Sequence, residues 1–330
     1  MGNSPRAAIA GLGSAVPEKV LSNADLEQML DTNDEWITQR TGIKERRIVS
    51  DGQSTVTLAV EAATEALNQA GMSADELDLI ICATITPEMP LPTTACVIQS
   101  ELGVKGIPAF DVAAACSGYI YALTVGSQFI NTGTYKRVLV IGVDILSSIT
   151  DYEDRGSCIL FGDGAGAAVL TASDDDEKGV IHTVLHAEGS GWDYIHIPAG
   201  GTRVRGTAET IANRDHFIKM RGRDVYKFAV EKMQWLLGDC LEKCNLSPDD
   251  VDMVIPHQVN LRVISSAAKK FNFPMDKVFV NIDKYGNTSA GSVPLAMSEA
   301  WRQGCIGPGS TIILVAFGAG LTWAGAVIKL

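Results

Sequence analysis

A thiol, an imidazole and a carboxamide placed where strands give way to helices or turns are the side chains of this chain best suited to chemistry. Cys116 closes the run Asp111-Val-Ala-Ala-Ala-Cys116, where an apolar strand over 106–111 leads into a long apolar helix. A thiol at a helix N-terminus faces unpaired backbone N–H groups and the positive end of the helix dipole, and both favour the thiolate. A lone cysteine among seven is more often a small core residue, so its position and company decide. His257 directly follows a buried strand over 251–255, which Pro256 stops, and the C-terminal end of a parallel strand faces the crevice where ligands bind. Asn287 lies further along, in Tyr285-Gly-Asn-Thr-Ser-Ala-Gly291, a turn leading to a helix. The segment Phe317-Gly-Ala-Gly-Leu-Thr-Trp323 ends a strand in glycines that let a ligand approach the backbone. The N–H of Ala319 and that of Cys116 would there frame an oxyanion hole. His182, His186 and His196 alternate with apolar residues as strand positions, and His216 lies in a polar loop.

The elements that must hold these residues repeat. Ser73, Asp75, Asp78 and Ile80 precede Ser247, Asp249, Asp252 and Val254 at one constant offset of 174, and in each copy an amphipathic helix (55–70 and 222–244) ends in an acidic turn before a short apolar strand. A strand over 106–111 leads to Cys116 and a strand over 278–282 leads to Asn287, which makes Asn287 the counterpart of Cys116 at an offset of 171. Buried strands over 138–142 and 312–318 stand near the end of each copy. Two halves follow, 1–175 with Cys116 and 176–330 with His257 and Asn287, joined at the acidic run 174–177. Alternating strands and helices in each half indicate an α/β protein with parallel-rich sheets covered by helices. The cluster Gly162-Asp-Gly-Ala-Gly166 superficially fits a dinucleotide loop, but a strand rather than a helix follows it, so it reads as a hairpin turn. Thr311 to Ile328 carries no charge at any position, yet its glycines favour strand, loop, strand over a membrane span.

Composition narrows the function further. In 330 residues, 27 Lys and Arg stand against 39 Asp and Glu, a net charge of −12 that lacks the broad basic footprint of a nucleic-acid binder. The seven cysteines are an odd number with no Cys-x-x-Cys pair and no His/Cys cluster at zinc spacing, and the N-terminus lacks the pattern of a signal peptide. They read as reduced thiols of a cytoplasmic protein without a metal site.

Asp111-Val-Ala-Ala-Ala-Cys116-Ser-Gly, Phe161-Gly-Asp-Gly-Ala-Gly-Ala167, Pro256-His-Gln-Val-Asn260 and Gly286-Asn-Thr-Ser-Ala290, in this order, resemble the β-ketoacyl-acyl-carrier-protein synthase III family of thiolase-superfamily condensing enzymes over essentially the whole chain. The resemblance implies a duplicated five-layer α/β/α/β/α fold, a homodimer and no metal or redox cofactor. It implies that Cys116 takes an acyl group from acyl-CoA, and that His257 and Asn287 promote decarboxylation of malonyl-acyl-carrier protein, whose carbanion attacks the acyl thioester. A thiolate for acyl transfer and two donors for the enolate oxygen suit that division. For coenzyme A, Asn33 or Asp34 caps a helix on which Trp36 and Arg40 share a face. The resemblance places the adenine against Trp36 and Arg155, with Thr32, Gly222 and Asn260 also at binding positions. The chain departs from the family at Arg223, Tyr226 and Ala319. Carrier-protein docking is expected at Arg262, Lys269 and Lys270, which fall at helical spacings after His257. The resemblance also sends Leu91 across the dimer into the acyl pocket. Sister condensing enzymes that use CoA thioesters throughout share the Cys, His and Asn. A cysteine hydrolase also uses these three residue types, but Cys116 lacks the Cys-Gly-Ser-Cys-Trp setting of papain-like enzymes. A catalytically silent scaffold would not need all three.

Overall fold

The computed structural model describes residues 5–175 and 177–330, so Asp176, within the acidic run at the join, lies outside the described residues. Up to residue 173 the chain forms strands β1 (Arg6–Ala15), β2 (Val20–Ser22), β3 (Glu45–Arg47), β4 (Leu79–Ala83), β5 (Ala109–Val112), β6 (Arg137–Ile145) and β7 (Asp163–Ser173). Its helices are α1 (Asn23–Glu27), α2 (Asp34–Thr41), α3 (Thr55–Ala70), α4 (Thr94–Glu101) and α5 (Gly118–Asn131). From residue 179 come β8 (Gly179–Ala187), β9 (Ile195–His196), β10 (Lys219–Met220), β11 (Met253–Pro256), β12 (Thr311–Gly318) and β13 (Thr322–Lys329). They alternate with α6 (Ala208–Ala212), α7 (Gly222–Lys243), α8 (Leu261–Lys270), α9 (Ile282–Tyr285) and α10 (Ser292–Arg302).

One sheet has the order β1-β7-β6-β4-β5 and the other β11-β12-β13-β8. Strand pairs β4–β6, β4–β5 and β11–β12 are parallel, and β1–β7, β6–β7, β12–β13 and β13–β8 are antiparallel, so the two sheets are mixed and not parallel-rich as expected, because β7 and β13 return beside β6 and β12 without a crossover helix. Period-two alternation sends one face of each sheet inward. Leu79, Ile81, Val138 and Val140 of the first sheet and Ile255, Ile312, Leu314 and Ala326 of the second share a core with Ile120 and Leu123 of α5 and Val293 and Met297 of α10. The opposite faces meet α3 through Ile80 and Leu139, and α7 and α8 through Val254 and Ile313. The layers are therefore helix, sheet, helix, sheet, helix, the duplicated thiolase-like arrangement.

Local chemistry repeats with the layers. Ser73 and Glu76 form a capping box, as do Ser247 and Asp250. Asp78 accepts the Lys136 and Arg137 N–H groups at 2.9 Å, and Asp252 accepts that of Thr311 at 2.7 Å. These carboxylates staple β4 to β6 and β11 to β12 at the same offset of 174 in the sequence.

Three local expectations change. The glycines of 162–166 are not a hairpin turn: all but Gly162 lie within β7, and a Cβ on Gly166 would come within 2.4 Å of the Leu295 nitrogen, so glycine there admits α10 against the strand. Residues 278–282 do not form a strand either, because only Val278 bridges Val254 before α9 begins at Ile282. The third change follows from that insertion. Ala109, paired with Ile80, stands six residues before the 3-10 turn Ala115–Ser117, whereas Val278, paired with Val254, stands eleven before the matching turn Ser289–Gly291. The five extra residues wind α9 and restore the 174 offset, so the counterpart of Cys116 is Ala290, not Asn287. The uncharged 311–328 segment is the β12–β13 pair, and among the described residues no helix is long and apolar enough to cross a membrane.

Candidate active site

Cys116 sits in the 3-10 turn that feeds α5, half-buried and facing a cavity whose lining includes His257, Asn287, Ser289, Gly318 and Ala319. Apolar side chains, among them Ile85, Leu146, Phe228 and Phe317, make up the rest of the wall. The turn needs a left-handed residue before the cysteine, and Ala115 takes φ +46°. Burial pushes the Cys116 thiol up to about 12, and the Asp144 carboxylate adds to the rise. The thiolate expected at this helix N-terminus is thus opposed by desolvation, and the α5 dipole works against that penalty.

His257 follows β11, its backbone N–H bonded to the Val315 carbonyl at 2.7 Å and its ring set edge-on to Phe317 at 5.7 Å between centroids. Its Nδ1 lies 2.6 Å from Ser292 Oγ in the first turn of α10. Ser292 Oγ also accepts the Gln258 N–H at 3.4 Å, and with its own hydroxyl hydrogen donated to Nδ1 the imidazole carries its proton on Nε2, the tautomer that can donate into the cavity. Burial pushes the imidazole down to about 3, so His257 is a neutral N–H donor. Asn287 is held from both sides: its N–H donates to the Leu160 carbonyl at 2.8 Å and its own carbonyl accepts Gly162 N–H at 3.0 Å. Its Oδ1 accepts the Ser289 N–H at 2.8 Å, which orients the amide and leaves Nδ2 as a donor. Two uncharged donors and one sulfur therefore share an apolar chamber, where hydrogen bonds to developing charge are strongest.

Beside Cys116 the repeat explains a vacancy. Asp144, at the end of β6, accepts the N–H of Ala290 at 3.0 Å; its counterpart in β12 is Gly318, and Ala290 is the counterpart of Cys116. A Cβ on Gly318 would stand 2.6 Å from the Cys116 nitrogen. Where the first half supplies a carboxylate to one elbow, the second brings a glycine without a side chain against the other, so no side-chain acceptor takes up the Cys116 N–H.

A wider groove, sharing Leu160 and Met220 with the cavity, opens beside it and is lined by Trp36, Arg40, Arg155, Gly222, Asn260 and Arg262. Asn33 caps α2, accepting the Trp36 N–H at 2.8 Å. The guanidinium carbons of Arg40 and Arg155 lie 4.6 and 4.3 Å from the Trp36 ring centroid. Asn260 caps α8 and also donates to the Arg40 carbonyl at 2.9 Å, tying α8 to α2. Thr32 is outside the groove lining, its hydroxyl buried without a partner. Lys269 and Lys270 are exposed in the last turn of α8, and Arg262 is exposed in its first. Leu91 is 84% exposed and does not line its own chain's cavity. Sequence reasoning missed Ser289, Ser292 and Asp144; the 174 offset, carried through Ala115 and Gly318, points to the first and last. Among the described residues no group of three or more His, Cys, Asp or Glu is gathered as a metal would require.

A five-layer duplicated fold with a cysteine at a helix N-terminus and neutral His and Asn donors opposite defines a thiolase-fold condensing enzyme. Residues 110–189 match the family described as 3-oxoacyl-(acyl-carrier-protein) synthase III, and residues 241–330 match its C-terminal part. A β-ketoacyl-(acyl-carrier-protein) synthase III of Caldanaerobacter subterraneus is 51% identical, over 98% of this chain and 97% of that protein. The crystal structure of a 3-oxoacyl-(acyl-carrier-protein) synthase III from Aquifex aeolicus superposes with a TM-score of 0.91 at 46% identity, covering 98% of this chain and 100% of that one. A priming β-ketosynthase of a polyketide pathway is also similar in structure, with a TM-score of 0.90 over 100% of this chain and 98% of that one, at 31% identity. This chain belongs to the β-ketoacyl-acyl-carrier-protein synthase III family. It is an acyltransferase of the condensing type that initiates fatty acid synthesis, and polyketide-type enzymes are more distant relatives.

Proposed function

We propose that Cys116 attacks the carbonyl carbon of an acyl-CoA, with the N–H groups of Cys116 and Ala319 holding the oxyanion while the CoA thiolate leaves and takes up a proton. Malonyl-acyl-carrier protein then enters the emptied groove. Its thioester oxygen accepts hydrogen bonds from His257 Nε2 and Asn287 Nδ2; the bond to the carboxylate breaks, carbon dioxide leaves, and the enolate carbon attacks the acyl group on Cys116. The thiolate departs and 3-oxoacyl-carrier protein is released. The observation that carries this reading is the pair of neutral donors, each with its other polar atom already engaged, facing the same chamber as the sulfur. None of these steps calls for a metal or an electron carrier.

The two halves, 1–175 and 176–330, divide this labour, nucleophile in one and enolate donors in the other. Arg40, Arg155 and Gly222 beside Trp36 suit the phosphates and adenine of coenzyme A, with Asn260 shaping the wall; Thr32, outside the lining, has no part in it. Arg262, Lys269 and Lys270 offer a basic face of α8 to an acidic carrier protein. Leu91, projecting outward, fits a homodimer in which it enters the other copy's acyl pocket. The protein is assigned to the cytoplasm, where its CoA and carrier thioesters are found. Intact mass after incubation with a panel of acyl-CoAs tests the reading: wild type gains one acyl group and Cys116→Ser gains none. Full acylation of that variant would remove Cys116 from its role.

A further inference from the structure

Ser289 is the one polar side chain of the catalytic cavity that these steps leave unused. It is fully buried, its hydroxyl has no hydrogen-bond partner, and its backbone sits at φ +49°. Each feature costs stability: side chains disfavour the left-handed region, where glycine rests without strain, and a buried hydroxyl left unpaired loses its water. Its counterpart Ala115 holds the same conformation at φ +46° with a bare methyl group. The turn therefore requires a positive φ but not a hydroxyl, and strain kept at a reaction chamber points to use.

We propose that the Ser289 hydroxyl donates a hydrogen bond to the Cys116 sulfur in its thiolate form and so sets how readily the nucleophile ionises. Ser289 acts through Cys116 and is a positioning residue; the inference rests on Cys116 being the nucleophile. The titratable groups facing the sulfur are His257, neutral after β11, and Asp144 at the end of β6, while the first turns of α5 and α10 carry no acidic residue. Burial and Asp144 both raise the thiol, and Ser289 is the side chain that lowers it. Burial raises the Asp144 carboxyl too, and the nearby Ser289 hydroxyl opposes that rise. Asp144 already accepts from Thr84, Ile85, Thr86 and Ala290, so it keeps its partners when the single hydroxyl hydrogen turns to a charged sulfur.

The test compares Ser289→Ala with Ser289→Gly in the full chain. Both remove the hydroxyl, and only glycine also relieves the backbone. Alkylation of the Cys116 peptide by iodoacetamide is followed by mass spectrometry against pH, beside the thiolate absorbance taken as a difference from Cys116→Ser. In both variants the thiolate midpoint is expected to move upward and alkylation at neutral pH to fall about ten- to hundredfold, with acetyl transfer from acetyl-CoA falling in parallel. Carbon dioxide release from malonyl-carrier protein is followed in parallel, because the Ser289 N–H also orients the Asn287 amide, and a loss confined to that step with Cys116 alkylation unchanged would overturn the proposal. Superimposable pH profiles for wild type and both variants would overturn the proposal, as would glycine restoring what alanine loses. Self-acylation of Cys116→Ser would instead defeat the nucleophile assignment on which it rests.

Discussion

His257, the proposed donor to the enolate, is held uncharged. Its imidazole is pushed down to about 3 by burial, so it stays neutral through the physiological range and donates from Nε2 because Ser292 occupies Nδ1. Decarboxylation is therefore expected to run flat from about pH 5 to 8 on the His257 side, since a group titrating near 3 has no event in that window. An essential imidazolium with the ordinary value would lose activity as pH rises through about 6.5; a limb there in the carbon dioxide release profile would refute the neutral assignment. Ser292→Ala removes the tautomer lock and leaves a buried ring nitrogen unpaired, at a cost of about 1–3 kcal/mol. It is expected to slow decarboxylation about tenfold or more while Cys116 acylates normally, as rapid-quench assays of the two half-reactions would show. Cys116 and His257 are legible in the sequence because strand ends and helix starts mark the crevice of a parallel sheet. Ser292 and Ser289 are not, since each matters only through what α10 and its leading turn are packed against.

The two elbows show how elements, rather than residues, make the site asymmetric. The capping boxes and the Asp78 and Asp252 staples recur at the same offset, and that regularity makes the duplicated fold readable. The correspondence fails at Asn287 because the second half replaces a fifth strand by a bridge at Val278 and the short helix α9, a change the apolar run 278–282 does not reveal. Glycines are ambiguous in a similar way: a missing side chain serves a tight turn or a close approach, and around Gly166 it serves the packing of α10. Gly318 is the catalytic instance. With Asp144 as its counterpart, it keeps the Cys116 N–H uncovered, and a methyl group would meet that nitrogen at 2.6 Å. Gly318→Ala is expected to push the Cys116 elbow aside, because its methyl would meet fixed backbone rather than a movable side chain, and to lose about 10²–10³ in the rate of self-acylation, the usual loss of an oxyanion donor, with a thermal melt distinguishing this from unfolding. Stopped-flow release of CoA measures it, and a rate within threefold of wild type would show that this amide is not part of the hole.

On the scale of the whole molecule, a chain of net charge −12 that takes the acidic carrier protein proposed for it must concentrate its positive charge. Arg262 lines the groove, whereas Lys219 and Arg221, which flank the groove residue Met220, are engaged by Asp151 and Asp193. Arg262→Glu is expected to raise KM for malonyl-carrier protein severalfold, more at low salt, with acetyl-CoA self-acylation nearly unchanged; equal loss of both activities would point instead to misfolding. Leu91 raises the opposite question, since a large apolar side chain is left 84% exposed beside Pro90 and Pro92. Burying a leucine stabilises by about 1.5–3 kcal/mol, which a second copy of the chain would gain by accepting it. If it enters that copy's acyl pocket, its size limits the primer, and each methylene of a primer is worth about 1–3 kcal/mol there. Leucine, smaller and more flexible than an aromatic ring, should admit butyryl as well as acetyl primers. Leu91→Phe is then expected to lower kcat/KM for butyryl-CoA about tenfold or more and to leave acetyl-CoA nearly unchanged, with the variant still dimeric by light scattering. An unchanged ratio of the two specificity constants would show that Leu91 packs between the copies without reaching the acyl chain.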